Sequence, residues 1–219
     1  MKLLLTSQGF SNDSIVNAFI DLVGKKLEDI RLVYIPTASH GAIWDKKWFA
    51  RNLSNVAKLN FKKFEIVDIA VVEKEVWQSS FEKADVLYFE GWSAPFLLKH
   101  LVGTGLDKKL PELIKNKVYV GSSAGSIVTN KTIWSSSNHI LNSEIKNVPK
   151  GLGLVDFYFR PHLNSKNRST INKNFLLEIS KKNPEEIIYA MDDDSALKII
   201  DDKVEVISEG DWLVLNEEK

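Results

Sequence analysis

The 219-residue chain contains no cysteine. That excludes disulfides, thiolate metal sites and a cysteine nucleophile together. It also lacks any apolar run of membrane-spanning length. The apolar stretch at Lys2-Leu3-Leu4-Leu5 is too short for a secretory signal. Net charge is absent as well: 29 basic residues balance 29 acidic ones, without a long basic run. A nucleic-acid or acidic-membrane partner is therefore not expected. Internal repeats and low-complexity linkers are missing too. What remains fits one α/β domain over residues 1–219, large enough to bury a core without staples. The expected location is the cytoplasm; the oligomeric state, homo-oligomer included, is left open.

Strand-like and helix-like segments alternate through the first 130 residues. Lys2–Thr6, Arg31–Pro36, Phe64–Ile69, Val86–Phe89 and Val118–Val120 read as short buried strands. Helical patterns follow from Asp13 through Val23, from about Trp44 to Leu59, from Phe96 to Leu101 and from Asp107 to Ile114. Asn12 or Asp13 can cap the first. This alternation predicts a mostly parallel sheet with helices on both faces, a three-layer α/β/α architecture. In such sheets ligands bind beyond the strand C-termini. The loops at Thr37–His40, Glu90–Ser93 and Ser122–Ser126 should gather there. Later segments read as a strand at Leu154–Phe159, a helix from about Ser169 to Lys181, and short strands at Ile187–Ala190, Ala196–Ile200, Val204–Ile207 and Trp212–Leu215.

Gly121-Ser122-Ser123-Ala124-Gly125 matches G-x-S-x-G, the nucleophile-elbow pattern. An elbow holds a serine at the tip of a strained strand-to-helix turn, beside backbone N–H groups able to stabilise an oxyanion. A phosphate-binding turn would call for G-x-x-x-x-G-K-[ST] or G-x-G-x-x-G, and neither occurs here. Ser123 needs a base, and the chain has four histidines: His40, His100, His139 and His162. His162 is the best placed, after a proline at a strand end. A hydrogen-bonded structural role is its bland alternative.

Gly121–Ser126 together with Arg160-Pro161-His162 resembles peptidase family S51, the dipeptidase E and cyanophycinase group. Leu32–Ser39, Ala84–Gly91 with Phe96–Leu98, Ala190–Leu197 and Val204–Ile207 resemble further family segments, in the expected order. The resemblance implies a class I glutamine amidotransferase-like fold and a serine peptidase acting on small peptides without metal or cofactor. It implies Ser123 as nucleophile, His162 as base and later acid, and the N–H groups of Gly91 and Ala124 as the oxyanion hole.

Three departures from the family pattern matter. The family's aspartate, fifteen residues after the nucleophile, is Asn138 here. An amide can orient a histidine but cannot stabilise an imidazolium as a carboxylate does. Glu144 and the run Asp192-Asp193-Asp194 are alternative acids; turn and capping roles are the bland reading of that run. Second, Glu90-Gly91-Trp92-Ser93 stands where the family has Gly-Gly-Asn-Thr. Glu90 and Trp92 then reshape the pocket wall. Glu90 either repels an acidic substrate group or pairs with a nearby lysine or arginine. Third, either Arg168 or Thr170 falls where the family holds an acidic substrate residue, so aspartyl specificity does not carry over. Trp44, Trp92 and Trp134 offer a more apolar lining. Two rivals remain: an α/β-hydrolase esterase, which shares G-x-S-x-G and the order Ser, acid, His; and a binding protein that kept the fold after losing its acid.

Overall fold

The computed structural model describes residues 1–41, 43, 45–133, 150–166 and 170–217. Its main sheet has seven strands. Five are parallel: β1 (Lys2–Thr6), β2 (Arg31–Ile35), β3 (Lys63–Ile66), β4 (Val86–Phe89) and β5 (Val118–Ser122). They lie in the order β3-β2-β4-β5-β1, and an antiparallel hairpin completes the sheet beyond β1. The hairpin is β8 (Ser195–Ile200) and β9 (Lys203–Ser208), turned through Asp201 at φ 53°.

β1 shows why the sheet must be covered on both sides. Leu3, Leu4 and Leu5 are all fully buried. Successive side chains on a strand point to opposite faces. Leu3 and Leu5 accordingly pack with Trp77, Phe81, Leu97 and Leu101, while Leu4 packs with Ile15, Phe19, Leu22 and Val56. The first set comes from α3 (Lys74–Lys83) and α4 (Ala94–Thr104), with α5 (Leu106–Leu113) adding Leu110. The second set comes from α1 (Asp13–Val23) and α2 (Lys47–Ala57). The result is the expected three-layer, mostly parallel α/β/α fold.

Local chemistry sets the helix ends. Asn12 accepts from the Ile15 N–H at 2.9 Å and starts α1. Ser93 caps α4, with Pro95 in its first turn, where a missing N–H costs nothing. Gly105 closes α4 at φ 72°, a conformation a side chain resists.

The sequence pattern missed α3. Its inward face is only Trp77 and Phe81, one turn apart, while Val76 points outward and blurs the period. Boundaries moved elsewhere: α2 begins at Lys47 instead of Trp44, and the late helix, α7, spans Lys173–Lys182 instead of starting at Ser169.

A second, smaller sheet is the larger departure. It joins β6 (Tyr158–Pro161), β7 (Ile188–Met191) and β10 (Trp212–Leu215) in the order β10-β7-β6. β6 and β7 run parallel, and β10 is antiparallel to β7. α7 covers this sheet through Phe175, Leu176 and Ile179, which pack on Tyr158, Ile188 and Ala190. The sequence reading sets the first of these strands at Leu154–Phe159, starting four residues too early, and does not say which sheet each strand joins.

Two glycines make opposite predictions. A Cβ on Gly125 would sit 2.1 Å from the Phe89 carbonyl oxygen, whereas one on Gly103, inside α4, would meet nothing within 4 Å. Gly125→Ala should therefore cost about 1–3 kcal/mol by overpacking. Gly103→Ala should stabilise by roughly 0.5–1 kcal/mol through helix propensity. Urea denaturation of both variants checks the pair; equal effects would contradict this packing.

Candidate active site

The site lies where β1, β4 and β5 end. Ser123 follows β5 and precedes α6 (Ala124–Ile127), with φ 47° and ψ −102°. A non-glycine residue in such a conformation costs about 1–3 kcal/mol and needs firm support. Thr6 supplies much of it. The Ser123 N–H donates to the Thr6 carbonyl at 2.9 Å. Ser126 Oγ donates to that same carbonyl at 2.9 Å and accepts from the Thr6 N–H at 3.0 Å. Thr6 Oγ1 donates to the Gly121 carbonyl at 2.8 Å. The turn is also tight: a Cβ on Gly121 would fall 2.6 Å from the Ser126 nitrogen. Glycine is needed at both ends of the motif for closeness, not for a positive φ.

His162 arrives from the second sheet, just after β6, with φ 68°. Its N–H donates to Ser7 Oγ at 3.2 Å, and Ser7 Oγ donates to the Met191 carbonyl at 2.9 Å. Its Nε2 lies 2.8 Å from Ser123 Oγ. On the far side, Nδ1 lies 2.6 Å from Asp193 Oδ1. The structure thus brings Ser123, His162 and Asp193 into one line.

The three adjacent acids have three different fates. Asp192 shapes the turn, accepting from the Asp194 N–H at 3.0 Å and the Asp211 N–H at 2.5 Å. Asp193 faces His162. Asp194 is held above the ordinary carboxylate range by burial and by the charges of Asp192, Asp193 and Glu209. Asn138, Glu144 and His139 lie outside the described residues. His40 Nδ1 is 2.6 Å from Asp68 Oδ2, and His100 packs against the Phe96 ring.

A cavity of about 160 Å³ opens onto Ser123 and His162. Glu90 lies in its wall, fully buried. Among the described residues Glu90 has no lysine or arginine partner. Glu90 instead accepts from the Tyr34 hydroxyl, from the Asn52 amide at 3.4 Å and from the Gly91 N–H at 2.6 Å. Burial pushes its carboxyl above the usual range despite these bonds. The bond to Gly91 has a consequence for the expected oxyanion hole: that N–H must be shared or released before it can serve an oxyanion. The Ala124 N–H, beside Ser123, has no acceptor among the described residues.

Trp92, at φ 111°, stacks on Trp48 with ring centroids 5.4 Å apart, and both line the cavity. Trp44, Trp134 and Arg168 lie outside the described residues; Thr170 is exposed and does not line the cavity. Sequence reading did not single out Ser7, Arg51 or Asn52, which do line it. The 3–4 spacing of Trp48, Arg51 and Asn52 on α2 was the available signal. Among the described residues no group of three or more His, Asp or Glu side chains could hold a metal ion, and no helix is long and apolar enough to cross a membrane.

Residues 3–207 match the family model of peptidase family S51. The chain belongs to peptidase family S51. It is accordingly a peptidase, a hydrolase of peptide bonds. An uncharacterized peptidase of Listeria monocytogenes is 30% identical over 138 residues, covering 62% of this chain and 66% of that protein. One from Listeria innocua is 33% identical over 102 residues, covering 45% and 49%. The aligned stretches thus span just under two thirds and about half of these relatives. A crystal structure described as a candidate peptidase E protein from Listeria monocytogenes superposes with a TM-score of 0.76 at 26% identity, covering 95% of this chain and 98% of that one. A peptidase from an acI-B1 actinobacterium shares the fold, with a TM-score of 0.64 at 16% identity over 100% of this chain and 95% of that one.

The environment of Glu90 in this S51 peptidase makes a pH prediction. Its folded-state pKa is raised, so its contribution to stability is fully present below the unfolded value, about 4.3. That contribution is lost as pH rises through the folded value. Glu90→Gln should therefore gain stability relative to wild type between pH 4 and pH 8. Thermal melts of both proteins across that range check it; a pH-independent difference would contradict the assignment.

Proposed function

We propose that this chain is a serine peptidase of the dipeptidase E type, hydrolysing short peptides through an acyl-enzyme. The observation that carries the reading is the continuous line Asp193–His162–Ser123 at the floor of one cavity. His162 must be neutral at Nε2 to take a proton. A proton on Nδ1, donated to Asp193, fixes that tautomer. Ser123 Oγ then attacks the scissile carbonyl while its proton passes to His162 Nε2. The oxyanion forms beside the Ala124 N–H, with the Gly91 N–H joining as Glu90 yields it. The imidazolium, stabilised by Asp193, returns its proton to the departing amine. Water repeats the sequence on the acyl-enzyme and frees Ser123.

The cavity is smaller than the roughly 300–1,000 Å³ typical of drug-sized ligands, which favours short substrates. The chain order Ser, His, Asp differs from the Ser, acid, His order of α/β-hydrolases and disfavours the esterase rival. The binding-protein rival rested on Asn138; a carboxylate on His162 removes its motive. We place the enzyme in the cytoplasm, which suits its cysteine-free composition.

A fluorophosphonate probe should label the wild type at Ser123, and Ser123→Ala should abolish both labelling and peptide hydrolysis. Asp193→Asn should lower kcat on the order of 10⁴-fold, as at other serine triads, while Asn138→Ala should change it only a few-fold. Equal losses at the two positions would move the acid's role away from Asp193. In wild type, kcat/KM on a dipeptide should fall at low pH as one group is protonated. Persistence of that limb in His40→Ala, with its source in His162, is the expected pattern.

A further inference from the structure

Among the described residues, four charged or titratable side chains line the cavity: Glu90, Asp193, His162 and Arg51. Three of them are matched within the protein. Asp193 and His162 bond each other, and Glu90 is held by Tyr34, Asn52 and Gly91. Arg51 is different. Among the described residues it makes no ion pair or hydrogen bond, and it is the cavity's single permanent cation. Its position is fixed by α2, which presents Trp48, Arg51 and Asn52 to the cavity from one face. Trp48 is in turn braced by the stack on Trp92. Asn52, next to it, is 5% exposed, and its Oδ1 has no hydrogen-bond partner among the described residues. A guanidinium without a counter-charge at the mouth of the cavity that holds Ser123 is a place for a carboxylate.

We propose that Arg51 is a specificity-determining residue of this cavity, binding a carboxylate of the substrate. The inference rests on the serine-peptidase reading above and names the chemistry of its substrate. A planar guanidinium can grip a carboxylate through two parallel hydrogen bonds, which an ammonium cannot do. Arg51 is exposed at the cavity mouth while Ser123 lies at its floor. The carboxylate therefore belongs to a group some distance from the scissile carbonyl: the C-terminal carboxylate of a very short peptide, or an acidic side chain. Either source gives a substrate that is short and anionic at one end.

The test uses the full chain and matched peptide pairs. In one arm the pairs differ only in a free or amidated C-terminus. In the other they differ only in Glu against Gln, or Asp against Asn. Wild type and Arg51→Gln are compared by kcat and KM. For peptides that are not turned over, the readout is their protection of Ser123 against the fluorophosphonate. Arg51→Gln should lose about tenfold to a hundredfold on the carboxylate member of one arm, through KM, with little change on its neutral partner. The arm showing that loss identifies the carboxylate. Arg51→Lys should recover part of it, because charge is kept but the fork is lost. Equal effects on both members of each pair, or no effect at all, would overturn the assignment. Unprotected labelling of Ser123 should proceed at the wild-type rate in Arg51→Gln, which separates this outcome from misfolding. Failure of wild type itself to label would instead overturn the serine-peptidase reading, and this inference with it.

Discussion

The peptide group of Thr6 is the constraint on which the site depends. It ends β1, next to β5 in the middle of the main sheet, and both of its polar atoms are committed to the elbow. The strained backbone of Ser123 persists because Thr6 and Ser126 leave it no relaxed alternative. One residue later, Ser7 turns to the second sheet and holds the His162 N–H and the Met191 carbonyl. The last residue of one strand and the residue after it thus fix Ser123 and His162. Both side chains are small hydroxyls and both are buried, so the polar links are made out of contact with water.

What was legible in the sequence follows from how local each signal is. Ser123 was legible because an elbow is a five-residue motif whose glycines have steric reasons. The parallel strands were legible because burial on both faces demands unbroken apolar runs such as Leu3-Leu4-Leu5. Asp193 was visible only as one of three adjacent acids. Nothing local distinguishes it from Asp192 and Asp194; the choice is made by a fold that brings residue 193 to residue 162. The division of the C-terminal strands between two sheets is equally non-local. α3 failed for the opposite reason: its signal is local but rests on two side chains.

For Glu90 the sequence left two readings, repulsion of an acidic substrate group or an ion pair, and the second has no partner among the described residues. A carboxylate in an apolar strand end suggests an ion pair, because burying an isolated charge is costly. The protein meets that cost with hydroxyl, amide and backbone donors instead. This keeps the acid in the wall of the cavity without drawing a basic residue toward Ser123. Arg51, which also lines the cavity, has no ion-pair partner among the described residues.

The two-sheet construction has a mechanical side. Ser123 is carried by the main sheet, His162 by the second, and Asp193 by the segment that crosses from β7 to β8. The hydrogen-bonded line Asp193–His162–Ser123 therefore spans a seam between two sheets and reads out their spacing. A slip of a few tenths of an ångström along that seam would stretch both hydrogen bonds of His162 at once. Residues on the inner face of α7, such as Phe175 and Ile179, do not line the cavity, yet they set the level of one bank of that seam. Sequence drift in this small outer core would accordingly surface as lost alignment between His162 and Ser123.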